Sequence, residues 1–493
     1  MVIQAKTTDR FQRITRGGCP ARHAVRGALV MACLSQLAAC AHFQPKQLSA
    51  QTSIAHFEAR SLAAPGLRAF LAANHVKEPA PSADWTLKAL TLAAFYYQPT
   101  LAEARERLLA AQAERITAAE RPNPSIAVTP GYDAGVPGAV HPWVVPLTFD
   151  WTIETAGRRA DRLAVAEHQA AAARWDLVGT VWQVRSQLRK ALLALYAARQ
   201  SEALLTQEAG TRRDLLRLLE GQLRAGNVSS YEVAQARIAL DRVIVATQAA
   251  AGRLQQARIA LAGAIGVAPR ALTDVRFSFA DLRTFPLALT RPVVRQQALL
   301  ERADVRAALE RFEASQSALQ LQIARQWPDI HLGPGFAWNA QLAGDREWEL
   351  GLSLPLPILN HNQGPIAEAK ARRALAAAHF QVVQSNALTQ IDEALAAYDS
   401  ARAQLRTTES VQGGLRNALH SVAAQVNAGE LQPLDLANAR LAYQAGVQEC
   451  LAALVQAQQA LGRLEDAMQS PLTVAQKFMR TAQSQVRIAR ASP

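Results

Sequence analysis

Half of the 493 residues are hydrophobic, and 53 basic against 40 acidic side chains give a formal net charge of +13. Six Lys/Arg and one acid in the first thirty-nine residues supply +5 of it, leaving +8 on stretches where bases sit beside acids, as in Glu103-Ala-Arg-Glu-Arg107. That is a solvated helical surface, and it excludes a nucleic-acid-binding patch. Beyond residue 40 the only thiol is Cys450, which excludes an intrachain disulfide framework. No apolar run there reaches the roughly 20 residues of a membrane-spanning helix. Crossing a membrane would therefore require a closed β-barrel.

The chain opens with a long basic segment, Lys6 to Arg26, followed by a short apolar stretch from Gly27 to Ala39. Residues 1–39 read as a secretory signal peptide, because the apolar part is too short to span a bilayer. It ends Leu37-Ala38-Ala39-Cys40, which resembles the lipobox of bacterial lipoproteins. The resemblance implies cleavage before Cys40 and lipid attachment at that residue. Ala41 follows where inner-membrane retention would use Asp, so outer-membrane sorting is expected. Residues 40–83 read as a lipidated N-terminal linker.

The rest of the chain is a duplication. Pro124, Pro130-Gly131-Tyr132, Gly157 and Ala225-Gly226 recur as Pro328, Pro334-Gly335-Phe336, Gly364 and Ala428-Gly429. The first copy spans residues 84–268. It holds a helix over Thr100–Arg121, a strand hairpin at 125–151 and a long helical hairpin at 157–264. Strands are expected at Ser125–Tyr132 and Val144–Trp151. No proline falls between Pro146 and Pro269, and Ala, Leu, Arg and Gln dominate, so the stretch favours helix. From Gly157 to Gly226 it would run roughly 100 Å; the partner from Ser229 to about Ala264 reaches only roughly 54 Å, and Thr100–Arg121 adds roughly 33 Å, so each copy could present one continuous helix and one composite of two stacked end to end.

Residues 269–298 form an inter-repeat segment. The second copy spans 299–468, with a helix over Ala303–Gln326, a strand hairpin at 329–356 and a helical hairpin at 364–468. Its strands are expected at Asp329–Trp338 and Glu347–Leu356, and residues 469–493 form a tail. Each strand approaches the 9–11 residues of a tilted membrane strand, and Trp143, Trp151, Trp338 and Trp348 stand where an aromatic girdle belongs. Val233, Ala236, Leu240, Val243, Thr247, Ala250, Leu254, Ala257 and Leu261 form a heptad seam. It recurs as Leu436, Ala439, Tyr443, Gly446, Cys450, Ala453, Ala457, Ala460 and Leu464, so Cys450 reads as packing. Gly226 and Gly429 read as C-caps of the long helices, Ser229 or Ser230 as an N-cap, and Pro433 as a first-turn residue. Four strands cannot close a barrel, whereas three protomers would supply twelve.

The stretch from Gly351 to Lys370, GLSLPLPILNHNQGPIAEAK, resembles the strand-to-helix motif of the TolC-type outer membrane efflux proteins. It is most similar to the branch serving heavy-metal resistance pumps, the CzcC-like proteins. Arg302-Ala-Asp-Val305 resembles the segment that opens the family's second copy, with Ala303 where Pro is usual. The resemblance covers Asp84 to about Met468. It implies a mainly α fold with a small membrane β portion: a homotrimer with one shared 12-stranded β-barrel and a periplasmic α-barrel. A collar is expected from Arg270–Pro292 and the tail. It also implies a passive conduit for small solutes, metal ions or drugs, docked at its helical tips to a periplasmic adaptor and an inner-membrane RND-type pump. Carried onto this chain, the tip contacts are Gly226, Val228, Ser229, Gly429, Leu431 and Leu434. Asp435 matches a pore-facing acid of the family, whose second acid is replaced by Asn438. As a first-turn acid, Asp435 also suits the helix dipole.

No catalytic constellation, cofactor motif or metal site stands out, and His361 has no partner at ligand spacing. The competing readings are the outer-membrane component of type I protein secretion and a non-spanning periplasmic coiled-coil scaffold lipoprotein. Nothing in the sequence names the cargo.

Overall fold

The computed structural model describes residues 42–74, 76, 84–132, 134–135, 142–286, 295, 301–339 and 345–472. The signal peptide, Cys40, most of residues 287–300 and the tail beyond 472 lie outside the described residues. The chain divides into two units, residues 1–57 and 58–493. Helix α1 (Ala50–Glu58), at the end of the first, buries no residue.

Four long helices dominate the second unit. Helix α5 (Arg158–Arg224) has 67 residues and turns into α6 (Ser230–Ile265), which has 36. In the second copy α8 (Gln363–Asn427) has 65 residues and turns into α9 (Pro433–Met468), which has 36. At ~1.5 Å per residue the long members reach about 100 Å. Every residue of both heptad seams is buried or half-buried. The apolar stripes, rather than helix propensity alone, hold such long hairpins together.

The short helices complete the long hairpins. Helix α4 (Pro99–Ala119) starts where α6 ends: Gln98 Nε2 donates to the carbonyls of Gly263 and Ala264 at 2.7 and 2.8 Å. Arg60 Nη1 donates to Tyr97 O and Gly266 O at the same junction. Helix α7 (Ala303–Ala324) starts where α9 ends. There Arg302 Nη1 donates to Ala467 O at 2.8 Å, and Ala303 N donates to Gln469 Oε1 at 2.7 Å. Both junctions satisfy carbonyls that a helix end leaves without intrahelical partners. Each copy therefore presents one continuous helix beside one assembled from two pieces.

Around the first junction lies the larger core. Helices α2 (Pro65–Ala73) and α3 (Leu87–Tyr97) bury Leu67, Leu71 and Leu90 against Leu188, Leu192, Leu261 and Ile265. Two 3₁₀ turns, Pro269–Leu272 and Ala280–Arg283, add Leu272 and Leu282. Trp85 N and O bond Arg276 O and Ser278 N at 2.8 and 2.9 Å, tying the two segments together. A second core joins Ile391, Leu395 and Leu405 of α8 to Leu461 and Leu464 of α9.

The strands form one antiparallel sheet in the order β1-β3-β4-β5, with β2 extending beside β3. Their ranges are Ser125–Val128, Gly131–Tyr132, Trp143–Ile153, Ile330–Asn339 and Asp345–Ser353. The expected first strand is split after Val128, where Pro130 has no N–H for the ladder. The expected fourth strand stops at Ser353 instead of Leu356, because Pro355 and Pro357 follow. The third strand runs two residues beyond Trp151, to Ile153.

Candidate functional site

Strand register separates the sheet into two faces, since successive side chains point to opposite sides. Leu147 pairs with Phe336 and Phe336 with Trp348; Trp151 pairs with Leu332 and Leu332 with Leu352. Ile126, Val128, Trp143, Val145, Phe149, Trp338 and Leu350 share that face. It is almost wholly apolar, and Trp143, Trp151, Trp338, Trp348, Leu350 and Leu352 are all exposed. Tyr132 meets Trp143 edge-on at 5.2 Å near the hairpin end, while Trp151 lies towards the helices. Eight residues separate Trp143 from Trp151, about 27 Å at ~3.4 Å per residue, matching the ~25 Å apolar band of an outer-membrane barrel.

The opposite face is polar and open. It carries Ser125, Thr148, Asp150, Thr152, His331, Glu347, Glu349 and Ser353. Gly333, Gly335, Gly351, Ala127 and Ala337 leave it without bulk, and Val144 and Pro146 are its apolar members. His331 Nδ1 lies 3.3 Å from both Asp150 oxygens and 3.4 Å from Thr152 Oγ1. Among the described residues its ionised side chains are acids, whereas Arg346 lies on the apolar face opposite Trp338. Among the described residues, the outer strands β1 and β5 each have one paired edge and one unpaired edge.

Where β3 returns to α5, the two copies meet. Thr155 Oγ1 donates to Pro328 O at 2.7 Å, Thr155 N donates to Asp329 Oδ1 at 3.2 Å, and Arg158 pairs with Asp329. Arg162 bonds Glu154 at 2.6 Å and holds its carboxyl below the usual carboxylate range, despite partial burial.

At the far end of the helices the two hairpins turn alike. Gly226 and Gly429 have φ of 73° and 78°, a left-handed conformation that costs a side-chain-bearing residue about 1–2 kcal/mol. Asn227 N donates to Gln222 O and Glu430 N to Gln425 O, both at 2.9 Å, closing a Schellman-type cap. Ser229, not Ser230, caps α6, its Oγ accepting from Glu232 N at 3.3 Å. Gly226, Ser229 and Gly429 are exposed; Val228, Leu431 and Leu434 are half-buried. Gln222 Nε2 reaches Gln432 Oε1 at 3.2 Å, linking one tip to the other. Asp435 and Asn438 are both exposed, and Asp435 Oδ2 accepts from Gln432 N at 2.9 Å. That bond gives Asp435 a capping role of its own.

Midway along, a buried ionic cluster joins the copies. Glu465 Oε2 lies 3.0 Å from Arg185 Nη2 and 3.6 Å from Arg189 Nε. Arg189 also donates to Gln458 O and Oε1 at 2.9 and 2.7 Å. Asp466 accepts from Trp182 Nε1 and Ser186 Oγ and pairs with Lys190 at 3.0 Å. Gly462 makes room: a Cβ there would fall 2.3 Å from Arg189 Nη1. Sequence reading missed this cluster, whose partners lie 269 to 284 residues apart. A signal existed in the charged residues placed within otherwise apolar helical stretches. Among the described residues no group of three or more His, Cys, Asp or Glu could hold a metal ion, and no helix is long and apolar enough to cross a membrane.

A duplicated coiled-coil subunit that ends in a two-faced, open-edged β-sheet is the protomer of an outer-membrane channel. The outer membrane efflux protein family model matches residues 94–267 and 294–470, and the chain belongs to that family. It is 24% identical over 297 residues to the cobalt-zinc-cadmium resistance protein CzcC of Cupriavidus metallidurans, covering 60% of this chain and 70% of that protein. Among solved structures, the outer membrane protein VceC of Vibrio cholerae has a TM-score of 0.64 at 19% identity, over 78% of this chain and 97% of that one. The outer-membrane channel OprN gives 0.64 at 19% identity, over 87% and 99%.

Proposed function

We propose that this protein is the passive outer-membrane conduit of a tripartite efflux system. Three copies close one 12-stranded barrel, and the long helices extend it through the periplasm to an adaptor and an RND-type inner-membrane pump. The observation that carries this reading is the sheet: a continuous apolar face, an open polar face and two unpaired edges at one pole of a helical stalk. Unpaired edges in a bilayer are too costly to remain open, so the sheet must close with other copies. The adaptor is read onto Gly226, Val228, Ser229, Gly429, Leu431 and Leu434, because exposed matching hairpins stand at the pole opposite the sheet. Cys40 is read as the lipid anchor on the strength of its lipobox.

The cargo class favoured is metal cations. Likeness to CzcC supports it, as do the acids of the open face, Asp150, Glu347 and Glu349. Asp435 with Asn438 is read as the constriction, although its cap bond serves the helix as well. Purified protein should migrate as a heat-labile trimer on unboiled gels and conduct in planar bilayers with a preference for cations. Folded trimers that never conduct would sink the conduit reading and leave the coiled-coil scaffold.

A further inference from the structure

Two histidine–carboxylate contacts differ in kind. His168 Nδ1 lies 2.8 Å from Glu310 Oε2, inside the ~2.7–3.2 Å range of an N–H···O bond. His331 Nδ1 stands 3.3 Å from each oxygen of Asp150 and 3.4 Å from Thr152 Oγ1. Those three distances are nearly equal, and all lie beyond the range of a well-formed bond. A single N–H cannot point at three oxygens at once. The spacing suits a cation instead. A tetrahedral dication bound at ~2.0–2.1 Å to nitrogen and oxygen donors sets those donors about 3.3–3.4 Å apart.

The strands assemble this group. Thr152 pairs with His331 and His331 with Ser353, so three polar side chains stand side by side across β3, β4 and β5 on the open face. Asp150 precedes Thr152 by two residues, shares its face and reaches His331 on the diagonal. Gly333 and Gly351, the next pair on that face, carry no side chains and leave room beside the group. The His331 and Asp150 side chains are 35% and 49% exposed, so ions in solution can reach them.

We propose that His331 and Asp150, with Thr152, form a site on the lumen wall for a dication that favours imidazole, of the zinc and cobalt kind. The proposal rests on the trimeric-conduit reading, under which the open face lines the barrel, and deepens it by naming residues and a class of cation. Neutral imidazole coordinates through Nδ1 and keeps its proton on Nε2. Asp150 supplies the negative charge, Thr152 a weak oxygen donor, and water the remaining position. The nitrogen donor separates these ions from magnesium and calcium, which prefer oxygen alone. Glu347 and Glu349, further along the same face, attract any cation. The group offers two strong ligands, fewer than the roughly three or four protein ligands of a resident zinc. A conduit needs that weakness, because a transit site must be entered easily and also left. Thr152 and His331 are next to the last pair of the sheet, Ile153 and Ile330, so cargo rising from the helices meets this site before the glutamates.

The test uses full-length trimer purified in detergent without a polyhistidine tag and stripped of metal by a chelator. Calorimetric titration with zinc should show a site in each protomer that His331→Ala and Asp150→Asn both weaken. Losing a ligand should cost no less than the ~10–100-fold that follows loss of a ligand's outer partner. His168→Ala should leave the site unchanged, and magnesium should not compete. In planar bilayers zinc should interrupt the single-channel current briefly, and His331→Ala should abolish the interruptions at unchanged conductance. Asp150→Asn, which keeps the shape of the side chain, decides the matter where His331→Ala assembles poorly. Zinc affinity that survives both variants, or falls equally in His168→Ala, overturns the site, while channels that still conduct leave the conduit standing. Zinc binding that depends on His331 in trimers that never conduct upholds the metal site and sinks the conduit reading.

Discussion

Glu465 is the side chain on which the two copies depend most. It lies between two buried guanidiniums, and burial already pushes Arg189 towards releasing its proton while Glu465 opposes that. Glu465→Ala leaves those charges buried and uncompensated, so a loss of about 3–5 kcal/mol is expected, seen as a lower thermal midpoint. An exposed pair such as Arg107–Glu103 should cost under about 1 kcal/mol on disruption. Glu347→Gln with Glu349→Gln, on the open face of β5, should lower the cation-to-anion permeability ratio in planar bilayers without changing trimer yield. An unchanged ratio removes the barrel acids from ion selection. Burial, with Glu409 nearby, raises the Cys450 thiol above its ordinary value, while a hydrogen bond to Thr408 opposes the shift. Less thiolate is therefore present at neutral pH, and maleimide labelling should be slow until unfolding.

At the scale of elements, legibility followed periodicity. Both long hairpins and their seams could be read from heptads and proline spacing, because a coiled coil is specified locally and repeats itself. The tips could be read from Gly226 and Gly429, because a left-handed turn demands glycine. Strand limits were less legible: Pro130 breaks β1 from β2, and Pro355 ends β5, although the apolar alternation continues to Leu356. Helix α2 was missed because Leu67 and Leu71 are too few to set a period, yet both are fully buried against distant helices. That the shorter helices stack end to end could be read from their lengths, but the bonds that join them at Gln98 and Arg302 could not, because each reaches carbonyls about 165 residues away. For the tips, Gly429→Trp should abolish pump-dependent resistance while trimers still assemble, since no atom lies within 4 Å of a Cβ built there and the left-handed backbone costs only about 1–2 kcal/mol. Normal resistance in that variant would remove the second hairpin from the docking surface. The bond between Glu154 and Arg162 adds stability that is present above the ordinary carboxylate pKa and lost as pH falls through the lowered one. The strand-to-helix turn should therefore hold its protease resistance through pH 5 and lose it only in stronger acid.

For the molecule as a whole, the continuous and assembled helices are mechanically different members. Helices α5 and α8 are unbroken backbones of about 100 Å. Their companions, α6 with α4 and α9 with α7, meet end to end through Gln98 in one case and Arg302 with Gln469 in the other. Stacked ends pass compression along the stalk but carry no covalent torque. A closed ring of three protomers thus alternates six stiff staves with six jointed ones. Twisting the lower half against the barrel meets resistance from only half the wall, and the swivel points are built into the middle of the stalk rather than its ends.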